Sequence, residues 1–184
     1  TIPASVTNIS EDSLAGCRRL SAMTVDALNP VYSSSPDGVV FNKEKTELIC
    51  YPGGRAGEYA VPVSVKQIGP GAFEGCASLT SITIPGGVAE IGDWTFEGCC
   101  SLSNVTIRDG VTRLGYKAFS GCNSLSQITI PASVTEIDAG AFEECPKLTR
   151  VRFEGDAPNG GNDVSIFGDH SPNVTVYYRS SAKG

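Results

Sequence analysis

The sequence is poor in histidine, tryptophan, methionine and clusters of basic residues. One residue of each of the first three types occurs among 184 residues, and 14 lysines and arginines face 20 acidic residues, for a formal net charge of −6. The longest basic cluster is the pair Arg18 and Arg19. An acidic surface without basic clusters repels phosphate backbones, so nucleic acid is not expected as a partner. No apolar run approaches the roughly 18 residues of a membrane-spanning helix, so no membrane span is expected either.

The single histidine, His170, does not indicate an active site. General acid–base or triad chemistry requires a histidine beside a nucleophile and an orienting carboxylate, and the sequence around His170 supplies neither. We therefore expect His170 in a surface loop, and we predict no catalytic residue, no cofactor and no metal site.

A 23-residue period organises most of the chain. Leu79, Leu102, Leu125 and Leu148 follow one another at this spacing. Counted from each leucine, the fourth and sixth positions are apolar. In the three units that start at Leu79, Leu102 and Leu125 the tenth and thirteenth positions are also apolar, the eighteenth is phenylalanine and the twenty-first is cysteine. A fixed period of this length is the signature of a solenoid, in which stacked coils bury together what one coil cannot bury alone.

Each unit predicts its own local structure. The first six positions alternate apolar and polar residues as a half-buried strand does, and Pro85 and Pro131 end that strand. A second extended piece follows, and Gly92 then permits a sharp corner. The stretch 93–98 is too short for a long helix, so we expect one helical or 3₁₀ turn there.

The period also predicts how the single domain, residues 1–184, is divided. Residues 1–19 form a partial unit, and because the sequence opens inside a repeat, we expect its true start to lie upstream. Residues 20–78 hold two units plus an insertion, since 59 residues separate Leu20 from Leu79 where two units would take 46. Two apolar stretches around a charged turn predict a β-hairpin at about 37–52. Residues 79–147 form three regular units, and 148–184 a degenerate unit and C-terminal cap.

The repeat resembles that of a known family. The pattern I-P-x-x-V-x-x-I-G-x-x-A-F-x-G-C-x-S-L runs from Val61 to Leu79 and from Ile84 to Leu102. It resembles the BspA-like leucine-rich repeat family of bacterial surface proteins, and Asn29 to Gly53 resembles a variant unit of that family. The resemblance implies an α/β, strand-rich solenoid: a right-handed leucine-rich-repeat coil with a parallel sheet, 23-residue units and one inserted hairpin. It also implies an extracellular or cell-surface protein that binds host or microbial proteins, and no catalytic motif.

Five of the seven cysteines share one repeat position, and two do not. Reduced cysteine is among the most buried residue types and fills small core spaces, so we interpret the column as a stack of buried thiols. The spacing of coils does not by itself exclude disulfides. Cys50 and Cys100 lie off the column and are the candidates for an exposed or paired thiol. The column residues are Cys17, Cys76, Cys99, Cys122 and Cys145.

Outward-facing strand positions are the first candidates for partner binding. They predict a polar face that ends in a basic patch. Threonine suits an exposed strand whether or not it binds anything. Arginines, however, can anchor the carboxylates of a partner. The candidate residues on this face are Thr83, Thr106, Thr129, Arg150 and Arg152.

Trp94, the only tryptophan, is the remaining candidate. It occupies the sixteenth repeat position, where other units carry the small or polar residues Asp12, Gly71, Lys117 and Gly140, so this column is expected to face solvent. An exposed tryptophan can anchor an interface. Packing against a neighbouring corner is the alternative.

Together these features predict a non-catalytic, monomeric adhesion or recognition module that binds an extracellular protein through its exposed sheet face. The alternative is a structural spacer segment of a larger bacterial surface protein. The identity of the partner is not written in the repeat, because solenoid surfaces are set by the positions that the period leaves free.

Overall fold

The computed structural model describes residues 1–10, 13, 14, 16, 18–157, 166–168 and 174–179. This part of the chain contains thirteen short strands and no α-helix, and it holds no helix that could cross a membrane. The strands are β1 Tyr32–Ser34, β2 Val40–Asn42, β3 Glu47–Cys50, β4 Gly57–Ala60, β5 Gln67–Ile68, β6 Leu79–Ile84, β7 Glu90–Ile91, β8 Asn104–Ile107, β9 Arg113–Leu114, β10 Gln127–Ile130, β11 Glu136–Ile137, β12 Arg150–Phe153 and β13 Thr175–Tyr178.

The strands stack as a β-solenoid with parallel walls, which confirms the predicted fold class. The longer strands form one wall, made of the sheets β4-β6-β8 and β10-β12-β13. The two-residue strands β7, β9 and β11 form a second wall. Within the regular units the ladder pairs residues 23 apart, for example Thr83 with Thr106 and Thr129 with Arg152. Equivalent repeat positions therefore lie directly above one another.

The apolar repeat positions fill one continuous core. Each of the four period-defining leucines is fully buried. The phenylalanine column stacks ring on ring, with centroids 4.9 Å apart for Phe73 and Phe96, 5.1 Å for Phe96 and Phe119, and 5.6 Å for Phe119 and Phe142. Stacked aromatic pairs contribute about 0.5–1.5 kcal/mol each beyond their buried area, so this column holds neighbouring coils together.

The helical or 3₁₀ turn expected at 93–98 is wrong, because this stretch is a run of tight turns. The N–H of Glu97 donates within its own coil to the carbonyl of Trp94, at 3.0 Å. The N–H groups of Phe96 and Gly98 instead donate to Ala118 and Ser120 of the next coil, each at 2.8 Å. A helix would keep all these donors within one coil. In these turns every second backbone N–H donates to a carbonyl of the neighbouring coil, which extends the hydrogen bonding between coils around the corner.

The predicted hairpin is present, and a third strand joins it. Strands β2 and β3 pair antiparallel around the charged turn. Strand β1 adds to β2 on the other side, and the sequence did not indicate it because Tyr-Ser-Ser has no apolar alternation. On its far side β3 pairs parallel with β5, with Leu48 opposite Ile68. The insertion is therefore built into the stack of coils.

One buried asparagine ties the N-terminal segment to this insertion. Asn29 is fully buried, and its amide nitrogen donates to the carbonyls of Pro3 and Val6 at 2.8 and 2.9 Å. Its side-chain oxygen accepts from the backbone N–H groups of Val31 and Tyr32 at 2.9 and 2.8 Å. All four hydrogen-bonding positions of the amide are satisfied, which offsets the cost of burying it.

Candidate partner-binding face

The long-strand wall carries two parallel rows of outward-facing side chains, which we call the strand face. Successive residues of a strand point to opposite sides, and the in-register stacking aligns the outward ones into rows. The rows are the third and fifth repeat positions. They comprise Glu58, Ser81, Asn104, Gln127, Arg150 and Thr175, and beside them Ala60, Thr83, Thr106, Thr129, Arg152 and Tyr177.

Arg150 and Arg152 are the charged pair of the strand face. Both are exposed, and they lie two residues apart on β12. Their ladder neighbours on β10 and β13 are uncharged: glutamine, threonine and tyrosine. Among the described residues neither arginine forms an ion pair. Two guanidinium groups with unused donors on a neutral polar surface can each bind a carboxylate through paired hydrogen bonds.

The ladder is interrupted in the middle of the strand face. Strand β8 pairs with β6 and β10 pairs with β12, but β8 and β10 do not pair with each other. The interruption uncovers Val105, which is half-buried, whereas its repeat equivalents Ile82 and Val151 are fully buried. On the second wall β9 and β11 remain paired, so the coils separate on the strand face alone.

A groove of about 390 Å³ opens at this interruption. Val105 and Ile128 form its apolar part, and the amides of Asn104 and Gln127 supply polar groups. The remaining lining residues are Thr129, Arg150, Arg152 and Tyr177. The groove thus combines an apolar floor, hydrogen-bonding amides and two positive charges.

Tyr177 belongs to this site, and sequence reasoning missed it. It is 51 % exposed and lies opposite Arg152 in the β12–β13 ladder. The signal was available, because 174–178 reads as a final strand and strict alternation aligns Tyr177 with the fifth-position column. Tyrosine offers a large contact area and a hydroxyl, the combination common at protein interfaces.

The structure brings five of the six candidates together and separates the sixth. Thr106, Thr129, Arg150 and Arg152 are exposed on the strand face, and Thr83 is half-exposed at its start. Trp94 lies elsewhere, in the turn after β7. It is 41 % exposed, and its ring also packs edge-on against Tyr116 at 5.9 Å. The expectation that its whole repeat column faces solvent is wrong, because Gly71 and Gly140 are buried.

The described cysteines of the column are buried thiols. Cys76, Cys99, Cys122 and Cys145 are at most 1 % exposed. The thiols of the last three donate to backbone carbonyls of phenylalanines in the preceding coil at 3.1–3.4 Å. Contact with the next thiol of the column, together with burial, raises the pKa of Cys76 and Cys122. A raised pKa disfavours the reactive thiolate of these two residues. The complete burial of the column indicates that its thiols serve packing.

The two cysteines outside the column, Cys50 and Cys100, differ in their exposure. Cys100 is exposed, as predicted for a residue outside the core. Exposure was also considered for Cys50, and that is wrong: Cys50 is 4 % exposed in a second apolar cluster with Met23, Val25 and Val40. The described residues contain no group of three or more acidic, histidine or cysteine side chains arranged for a metal ion. His170 and Cys17 lie outside the described residues.

Comparison with known sequences places this repeat in a defined class. The profile of the BspA type leucine rich repeat region matches residues 51–164 in six copies. No curated protein is a significant match to the chain.

Solved structures of bacterial proteins share the fold. The pneumococcal vaccine antigen PcpA superposes with a TM-score of 0.81 at 22 % identity, over 98 % of this chain and 45 % of PcpA, a likeness of fold alone. A leucine rich cell surface protein from Faecalibacterium prausnitzii gives 0.74 at 29 % identity, over 98 % of this chain and 48 % of that protein. A leucine-rich repeat protein from Bacteroides ovatus gives 0.55 at 32 % identity, over 68 % and 33 %. This chain spans less than half the length of each of them.

Proposed function

This chain belongs to the BspA-type leucine-rich repeat family, and from that premise we propose that it is a non-catalytic protein-binding module that uses the strand face. One observation carries the proposal: Arg150 and Arg152, which form no ion pair with any described residue, stand beside a groove whose other lining residues are uncharged. Unpaired arginines next to an apolar floor supply both the charge and the desolvated contact that interface anchors require.

The partner in this proposal presents carboxylates in an extended or protruding segment. Arg150 and Arg152 bind those carboxylates, while the amides of Asn104 and Gln127 bind polar groups of the segment along the groove. Tyr177 covers the apolar part of the contact. The threonines add surface area without charge, and the carboxylate of Glu58 at the β4 end of the face repels an acidic segment, so specificity resides at the β10–β13 end.

The physiological role that fits this surface is adhesion to, or recognition of, a host or microbial extracellular protein. Support comes from the described cell-surface nature of the Faecalibacterium prausnitzii protein, which shares 29 % of residues with this chain. An extracellular location for this chain is part of the proposal, and a structural spacer within a larger surface protein is the competing function.

A binding screen separates the two. Wild type and the double variant Arg150→Glu/Arg152→Glu are applied to arrayed extracellular proteins, beside a charge-matched control, Lys66→Glu/Lys147→Glu, whose lysines are exposed outside the strand face. We expect wild type and the control to bind at least one partner with micromolar affinity. The arginine variant should bind that partner about a hundredfold or more weakly, because the pairs between the arginines and the partner's carboxylates, buried in the interface, are broken. Absence of any micromolar partner for wild type supports the spacer. Equal binding by the arginine variant overturns the role of the face.

A further inference from the structure

Two large aromatic rings lie exposed on a part of the coil separate from the strand face. Trp94 and Tyr116 occupy successive coils beside the second wall, and they are 41 % and 40 % exposed. Their ring centroids are 5.9 Å apart in an edge-on arrangement, and the N–H of Trp94 donates to the carbonyl of Tyr116 at 2.9 Å. We call this pair the corner patch. No other described aromatic ring packs against Trp94, so its outer face is open to a ligand.

The fold does not explain the choice of tryptophan at this position. Trp94 has a φ of 54°, in the left-handed region, and the same repeat column carries Gly71, Lys117 and Gly140 at φ of 61°, 53° and 67°. Such a conformation costs a residue with a side chain about 1–2 kcal/mol. The column therefore accepts glycine or lysine and does not require an aromatic ring. The contact with Tyr116 leaves Trp94 41 % exposed.

The charge around the corner patch determines which partner fits it. Asp93 directly precedes Trp94, and its carboxylate accepts from the N–H of Tyr116 at 2.9 Å. Arg113 forms ion pairs with Glu90, Asp93 and Asp138 and lies opposite Glu136 in the β9–β11 ladder. Four carboxylates therefore share one guanidinium group, which leaves a net negative charge beside the rings.

The corner patch already contains one cation–π contact. The ammonium group of Lys117 lies 5.6 Å from the centroid of Tyr116, and Lys117 also forms an ion pair with Glu143 at 3.1 Å. Within the described part of the chain, no corresponding cation lies over the ring of Trp94. Indole is the strongest cation–π acceptor among side chains. An open indole beside surplus carboxylates is complementary to a second cation.

We propose that the corner patch binds a lysine- or arginine-bearing segment of a partner protein. The incoming cation lies over Trp94, and its charge is balanced by Glu90 of β7 and by Asp93, two residues beyond that strand. This surface goes beyond the strand face, since it selects the opposite charge. One molecule can then hold two different segments, one acidic and one basic.

The single tryptophan provides a direct readout for this proposal. The full chain is titrated with octalysine, and the fluorescence of Trp94 is followed at low and at high salt, with octaglutamate as the negative probe. We expect a saturable change with octalysine that weakens as salt screens the charges, and none with octaglutamate. No change at millimolar octalysine overturns the proposal. An equal change with a neutral oligosaccharide also overturns it, since ring stacking without charge would then explain the patch.

Variants separate the patch from the overall negative charge of the protein. Octalysine affinity is measured by calorimetry for Trp94→Gly, which restores the residue of the equivalent column positions, and for Glu90→Gln/Glu136→Gln. We expect each to bind about tenfold or more weakly, equivalent to about 1.4 kcal/mol. The matched control Glu44→Gln/Glu58→Gln, which neutralises exposed carboxylates elsewhere, should bind like wild type. Wild-type affinity in Trp94→Gly overturns the proposal. Arg150→Glu/Arg152→Glu should retain octalysine binding, which keeps this test independent of the strand face.

Discussion

At the scale of single residues, backbone conformation explains several otherwise unrelated choices. Four described non-glycine residues have positive φ: Lys45, Trp94, Lys117 and Glu144. The last three lie in repeat columns where other units carry glycine, also at positive φ. These columns therefore specify a left-handed turn, and glycine is the residue that adopts it without strain. Non-glycine residues in them are departures that the fold tolerates at a cost.

Replacing Glu144 with glycine tests this cost. Glu144 has a φ of 55° and is exposed, and its equivalents are Gly75, Gly98 and Gly121. We expect Glu144→Gly to raise the free energy of unfolding by about 0.5–1 kcal/mol, since relief of left-handed strain exceeds the entropy cost of glycine. Urea unfolding of both proteins measures the difference. Gly121→Glu is the reverse change and should lower the free energy of unfolding. A lower free energy of unfolding for Glu144→Gly than for wild type would contradict this explanation.

Tyr51 provides a second test at this scale. It extends the phenylalanine column, with its ring 5.0 Å from that of Phe73, and it is 1 % exposed. Its hydroxyl is buried and has no hydrogen-bond partner among the described residues. A buried hydroxyl without a partner costs about 1–3 kcal/mol. We therefore expect Tyr51→Phe to stabilise the protein by about 1 kcal/mol at neutral pH.

The pH dependence of that gain has a defined sign. Burial raises the pKa of Tyr51 from its ordinary value of 10.0 to about 12. The folded state therefore keeps a proton that the unfolded state loses above pH 10, and wild type is destabilised as pH rises from about 10 towards 12. Chemical denaturation at pH 7 and pH 11 measures the difference in the free energy of unfolding between Tyr51→Phe and wild type. We expect this difference to be larger at pH 11, and a smaller difference at pH 11 would contradict burial of the hydroxyl.

At the scale of elements, the repeat predicts the walls well and the corners less well. Leu79 and its equivalents define strands that the structure shows, because alternation and period both depend on burial. The corner at 93–98 is different, because its short polar sequence is compatible with a helical turn. The left-handed backbone at Trp94 and Gly98 turns alternate N–H groups of this stretch towards the next coil. A tryptophan in the sequence does not indicate a left-handed conformation, so this arrangement could not be predicted.

The interruption between β8 and β10 was equally hidden from sequence. Val105, Ile107, Ile128 and Ile130 are ordinary apolar strand residues, and Pro131 has an equivalent at Pro85 where the neighbouring strands do pair. Nothing in these residues distinguishes the unpaired strands from the paired ones, and nothing in the structure explains the break. The groove of the strand face therefore could not be predicted from the sequence.

Hydrogen exchange tests the interruption. Amides of β10 that face β8 have no ladder partner there, whereas β12 is paired on both sides. We expect a peptide covering 126–130 to exchange at least about tenfold faster than one covering 149–153, since exchange reports local opening of hydrogen bonds. Native-state exchange followed by mass spectrometry measures both in one sample. Equal protection of the two peptides would show that the sheet is continuous.

At the scale of the whole molecule, the coil presents different local charges on different surfaces. Arg150 and Arg152 give one end of the strand face a positive charge, and the carboxylates that share Arg113 make the surroundings of the corner patch negative. The net charge of −6 alone suggests only a uniformly acidic protein. A solenoid permits this difference because each repeat position becomes a row on one surface.

Sequence reasoning therefore reached the fold and most of the strand face, and it failed where function depends on exposed detail. The 23-residue period predicted that Thr106, Thr129, Arg150 and Arg152 lie on one surface, because equivalent strand positions stack in successive coils. It missed Tyr177 because the last strand lies beyond the regular repeats. Burial follows rules that every repeat obeys, whereas binding depends on the positions in which repeats differ.

Partner binding on the strand face is tested by a hydrogen-exchange footprint of the full chain with and without a protein captured in the binding screen. We expect protection of the segments 104–107, 127–130 and 150–153, with the largest change at strands β8 and β10, which do not pair with each other. Protection confined to the insertion at 32–50, with these three segments unchanged, would contradict it.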